Sequence, residues 1–118
     1  MENPVLGSRL YITAYALALK PAADHLPEVL KGVVNLIGMD TGGMTPQVWA
    51  YPLPDGRGGL GETICQPLVE SFLVADTWPA LERVYVVLAS CRSYHPEAVA
   101  AYLEKELGPV LKWGRIEI

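Results

Sequence analysis

Residues 83–91, Arg-Val-Tyr-Val-Val-Leu-Ala-Ser-Cys, decide the reading of the fold. From Val84 to Ala89 no charged or amide residue interrupts the run, and its valines and tyrosine suit a pleated surface. The stretch therefore predicts a strand whose two faces both need cover. Downstream, His95-Pro96-Glu97 opens a helix striped by Val99, Tyr102, Leu103 and Leu107, with Gly108 as the residue that ends it. Val110 to Ile118 closes the chain as a last strand. Upstream, strand signals cover Thr63 to Leu73, broken by Pro67, and a further strand candidate sits at Phe72 to Thr77. Before them lie a loop, Pro52 to Gly61, and a strand from Gln47 to Leu53 carrying Val48, Trp49 and Tyr51. Leu26, Leu30, Val33, Val34 and Ile37 recur at helical spacing, with Pro27 in the first turn and Gly38 or Gly42 as the stop. Arg9 to Leu19 reads as a first strand buried on much of both faces, ended by Lys20-Pro21.

The order is β-α-β, a few strands, then β-α-β. It predicts one α+β domain over residues 1–118, a two-layer sandwich with both helices on one face of a mostly antiparallel five- to six-stranded sheet. Two short helices shield one face only. The other face is then too apolar to stay bare, which predicts a homodimer paired through the sheet.

Composition narrows the function. The 118 residues are 51% hydrophobic and 19% charged, enough apolar surface to exclude disorder. Nine basic against thirteen acidic residues give a net charge of −4, the wrong sign for a nucleic-acid binder. No apolar run reaches the ~18 to 20 residues of a membrane span, and Met1 to Leu10 does not read as a signal peptide. Two cysteines, Cys65 and Cys91, suit a reducing cytoplasm better than a disulfide framework.

Several motifs fail on context. Gly56, Gly58 and Gly61 match G-x-G-x-x-G, but a dinucleotide site needs that run to open a helix. Here Thr63, Ile64, Cys65 and then Pro67 follow, so the run reads as a hairpin loop. His25 and His95 lie far apart, each at a helix start, and Cys65 and Cys91 lack a C-x-x-C partner, so no metal site is predicted. Ser71, Asp76 and a histidine make no recognisable triad without a nucleophile elbow around Ser71.

The stretch from Gly61 to Pro79 carries a more specific pattern. Glu70-Ser71-Phe72-Leu73 and Thr77-Trp78-Pro79 stand in one run, Cys91 lies twenty residues after Ser71, and Thr63 lies eight before it. These residues resemble the small prokaryotic S-adenosylmethionine decarboxylases, a family of self-cleaving pyruvoyl enzymes, and the order of elements matches from Arg9 to Ile118. The resemblance implies a chemistry. The serine hydroxyl attacks the carbonyl of the preceding glutamate, converting amide to ester; β-elimination and hydrolysis then leave a chain that begins with a pyruvoyl group, an electron sink. By position, Ser71 would be the pyruvoyl precursor, Glu70 the residue before the cleaved bond, Thr63 a processing helper and Cys91 the general acid. An even spacing lets Thr63 and Ser71 share a strand face if no bulge intervenes.

The chain departs from the family at the base. The family histidine five residues after the serine is Asp76 here, and an aspartate is ordinarily the weaker base, with a reference pKa of about 3.9 against about 6.5. Phe72 replaces the histidine beside the serine, and Ala80 the glutamate after Trp-Pro. The expected function is therefore a diverged, unprocessed homologue without a cofactor, binding a small cationic metabolite such as S-adenosylmethionine or a polyamine precursor. Carboxylates and aromatic rings attract such a cation, and Trp49, Tyr51, Glu62, Glu70 and Asp76 are the candidates. The alternatives are an active decarboxylase with a self-derived pyruvoyl group at Ser71, and a structural dimerisation module that binds nothing small.

Overall fold

Side-chain alternation along the strands organises the molecule. The computed structural model describes residues 9–18, 25–54 and 60–118. Its elements run β1 (Tyr11–Ala18), α1 (Leu26–Ile37), β2 (Gln47–Pro52), β3 (Leu60–Leu68), β4 (Ser71–Trp78), a 3-10 turn (Pro79–Leu81), β5 (Arg83–Ser90), α2 (Pro96–Glu106) and β6 (Val110–Glu117). The strands form one six-stranded sheet in the order β2-β3-β4-β5-β1-β6, and every described pairing is antiparallel. This is the two-layer α+β architecture that the sequence predicts.

One face of the sheet carries both helices. Tyr15 and Leu17 of β1, Ile64 and Leu68 of β3, Leu73 and Ala75 of β4, and Val84, Val86 and Leu88 of β5 are buried on it. Helix α1 lays Leu26, Val29, Leu30, Val33 and Val34 against β3 and β4, and α2 lays Val99 and Leu103 against β1 and β6. Each such side chain contributes about 1.5–3 kcal/mol relative to exposure, so this layer is the core. Pro27 stands in the first turn of α1, and Gly38 ends it in a left-handed conformation that glycine adopts without strain. Neither helix is long and apolar enough to cross a membrane.

The structure corrects the sequence reading in two places. First, the strand break falls at Val69-Glu70, not at Pro67. β3 and β4 are separate strands joined by a two-residue turn, with Leu68 opposite Ser71. Pro67 is accommodated because it lies past Cys65, the last residue of β3 that pairs with β2. Second, β1 is covered on one face only. Thr13, Tyr15 and Leu17 are buried while Ala14 is exposed. The opposite face of the sheet is open: Phe72 and Trp78 of β4 are each 46% exposed and Trp49 of β2 is 54% exposed. The Lys20-Pro21 strand end and Gly56 and Gly58 lie outside the described residues. Gly61 sits in β3, and strand rather than helix follows it.

Polar groups within the covered layer are satisfied. Tyr15 donates its hydroxyl hydrogen to the Pro96 carbonyl at 3.0 Å, tying β1 to the start of α2, and its ring stacks on Trp113 at 5.8 Å. The Tyr94 hydroxyl meets Thr13 at 2.9 Å and donates to the Leu88 carbonyl at 3.1 Å.

Burial pushes the Tyr15 hydroxyl up to about 12 from an ordinary 10.0. Between those values the unfolded chain releases the proton and the folded chain keeps it. The contribution of Tyr15 is therefore complete below about pH 10 and is lost as pH rises towards 12. Urea midpoints for the wild type should fall between about pH 8 and about pH 11, and Tyr15→Phe should shrink that fall. An undiminished fall in the variant would assign the alkaline loss to other groups.

Candidate functional site

The register of β3 against β4 sorts the candidate residues into two groups. Thr63 lies opposite Asp76, and Trp49 of β2 lies opposite Thr63. Cross-strand partners share a face, so these three side chains stand together on the open side of the sheet. Tyr51 pairs with Gly61 one step along. A Cβ at Gly61 would come within 2.6 Å of the Tyr51 ring, so the glycine is what lets the ring lie over β3.

The carboxylate of Asp76 is the centre of this group. Thr63 donates to Oδ1 at 2.7 Å and Tyr51 donates to the same oxygen at 3.2 Å. Trp78, two residues on and hence on the same face, donates its indole N–H to Oδ2 at 2.9 Å. The Trp78 ring is held edge-on by Tyr85 on β5, with centroids 5.7 Å apart and planes at 83°. Next to the carboxylate is a cavity of about 140 Å³ bounded by Tyr51, Leu53, Pro54, Trp78 and Pro79. Three internal donors hold an anion beside two aromatic rings, an arrangement that attracts an organic cation.

The second group lies at the other end of β4. Ser71 has the same strand parity as buried Leu73 and therefore points to the helix-bearing face; its hydroxyl donates to Ser90 at 2.9 Å. Glu70, just before it, has φ 58, a left-handed conformation that costs a non-glycine residue roughly 1–2 kcal/mol. The backbone N–H of Val69 bonds the Asp40 carbonyl at 2.9 Å, which pins the turn to the loop after α1. A cavity of about 280 Å³ here is bounded by Met39, Asp40, Glu70, Ser71, Cys91 and Arg92, and neither histidine lines it. Ser71, Glu70 and Cys91 are thus brought together, and a nucleophile, a strained peptide and a thiol meet at one rim.

Thr63 and Asp76 do not join that rim. Thr63 and Ser71 sit on different strands and opposite faces, so the expected shared face is absent. Asp76 lies five residues from Ser71, about 16 Å along the strand at roughly 3.3 Å per residue. Glu62 also parts from the aromatic group: as the neighbour of Thr63 on β3 it stands on the other face, with its backbone N–H bonded to the Thr77 hydroxyl at 2.8 Å. Trp49 stands beside Thr63, well exposed, and does not line the groove. Trp78, Leu53, Pro54 and Pro79 are groove residues that the sequence reading did not select. The Asp76–Trp78 spacing of two on a strand was the available signal for Trp78.

No family model matches this chain, and no curated protein matches it. Among solved structures it is similar to the adenosylmethionine decarboxylase of Aquifex aeolicus VF5, at 17% identity and a TM-score of 0.65. That likeness covers 93% of this chain and 88% of the other. At such identity it shows the fold: the chain has an adenosylmethionine decarboxylase-like fold.

Proposed function

We propose that the protein keeps its backbone intact at Ser71 and binds a small organic cation, such as S-adenosylmethionine or a polyamine precursor, in the Tyr51–Asp76–Trp78 groove. One observation carries this reading: the Asp76 carboxylate, at the position of the family's base, is held by three donors on the open face. Within one chain it is turned away from the Glu70-Ser71 bond and towards the groove. The group that would move a proton for cleavage instead supplies a fixed charge. The unbridged Cys65 and Cys91 support a cytoplasmic setting.

A second reading has its own support. The left-handed Glu70 stores strain at the bond that an acyl shift would break, and Cys91 shares its cavity with Ser71. An active pyruvoyl decarboxylase would follow from that strain if a base reached the bond. Intact mass separates the two readings. The purified protein should give a single species at 12.8 kDa that is inert to carbonyl reagents. A fragment beginning with a pyruvoyl group at residue 71 would overturn the intact-chain reading and establish the other.

Cation binding has a separate test. S-adenosylmethionine should raise the melting temperature in a concentration-dependent way, since a ligand that binds only the folded state stabilises it. Asp76→Asn should abolish the rise. An identical rise in the variant would remove Asp76 from the site, and no rise in either protein would leave the structural dimerisation module as the better reading.

We further propose a homodimer that buries the part of the open face beyond the groove. Phe72, Val74 and Val87 give β4 and β5 an apolar surface there, and a two-fold pairing would cover it on both copies at once while leaving the Asp76 groove open. Light scattering should report twice the chain mass at high micromolar concentration. A persistent monomer at that concentration would show that the face stays open.

A further inference from the structure

If the groove is a cation site, its lining also decides the class of cation. Resting on that proposed binding function, we propose that the groove selects a quaternary ammonium group, carried on a small free molecule, over a primary ammonium of similar size. Among the described residues, Asp76 is the single charged side chain lining the groove. A carboxylate offers about four lone-pair sites. Three of them already receive hydrogens from the protein, two on Oδ1 from Thr63 and Tyr51 and one on Oδ2 from Trp78. A primary ammonium arrives with three N–H donors and finds roughly one free site on that carboxylate. A second donor can reach the lone pairs that the Tyr51 hydroxyl keeps while donating to Asp76, and the third faces rings, Leu53 and prolines. The Thr77 hydroxyl is engaged as well, accepting from the Glu62 N–H at 2.8 Å and donating to the Glu62 carbonyl at 3.2 Å. Each N–H stranded this way costs roughly tenfold in affinity.

A quaternary ammonium has no N–H to strand. Its charge is spread over alkyl groups that pack against rings, and its attraction to an aromatic face and to a carboxylate requires no hydrogen bond. Both rings are held in place before any ligand arrives. Tyr51 lies over Gly61, where a Cβ would stand 2.6 Å from one ring carbon and 2.9 Å from another. Trp78 is fixed by its bond to Asp76 and by the edge of Tyr85. Rings that need no ordering on binding keep more of their contact energy as affinity.

Titration calorimetry on the intact protein at constant ionic strength tests this with tetramethylammonium, methylammonium and 1,4-diaminobutane. Tetramethylammonium should bind at least about tenfold more tightly than either amine, one stranded donor's worth. Asp76→Asn should weaken it by about tenfold or more, because the charge is lost. Gly61→Ala should weaken it while leaving the charge in place, because the added Cβ displaces the Tyr51 ring; this variant serves if Asp76→Asn does not fold. Amines that bind as tightly as tetramethylammonium would overturn the selectivity and leave the cation site standing. No binding by any of the three cations, together with no thermal shift by S-adenosylmethionine, would overturn the site itself. A trimethyl-lysine peptide that binds more than tenfold tighter than choline would overturn the assignment to a small free molecule.

Discussion

The two-residue turn at Val69-Glu70 is the constraint on which the rest depends. By placing Leu68 opposite Ser71 it sets every later pair between β3 and β4, including Thr63 with Asp76. A sheet has a side-chain period of two, so a slip of one residue would exchange the two faces of β4. Leu73 and Ala75 would then leave the core, and Asp76 would enter it beneath the helices. Burying an unpaired carboxylate costs far more than the strain of one left-handed glutamate. The buried residues thus enforce the turn, and the turn assembles the Asp76 cluster. Core and site are two faces of one register.

Much of the fold was legible because local signals agreed with one another. The apolar run from Val84 to Ala89 became the strand between β4 and β1. Pro27, Gly38 and Gly108 marked helix ends for steric reasons that hold in almost any context. The β3–β4 turn was not legible, because Val69-Glu70 contains neither glycine nor asparagine, the residues that usually reveal a left-handed position. Pro67 drew the break instead, since the sequence alone does not reveal that β2 stops pairing at Cys65. The exposed face of β1 was misread for a related reason: alanines at 14, 16 and 18 look apolar in a list but need little cover.

The candidate site was legible in part. Tyr51 and Asp76 were selected together as cation-binding candidates and Thr63 as a processing helper, and the structure joins all three. What brings them together is pairing across three strands, a non-local fact that no single window of sequence contains. Glu62 was chosen for its charge and lies on the wrong side of its strand. Trp78 was quoted for its place in a motif, whereas its physical contribution is an N–H aimed at the carboxylate two residues before it. Sequence patterns identify which residue types are available; register decides which of them meet.

Position 76 shows how differently a core and a polar cluster constrain the residues of one strand. Core positions ask only for apolar side chains of about the right volume, so they tolerate wide substitution, and a likeness of 17% identity still spans 93% of the chain. The site asks for particular atoms. An imidazole has one donor and one acceptor when neutral and can pass a proton between them. A carboxylate at the same place is an acceptor only, so neighbouring donors turn towards it, as Thr63, Tyr51 and Trp78 do here. With three donors converging on it, the carboxylate is held in one orientation beside the Tyr51 and Trp78 rings. One strand thus presents an apolar face to the helices and a polar cluster to the open side, and the same register serves both.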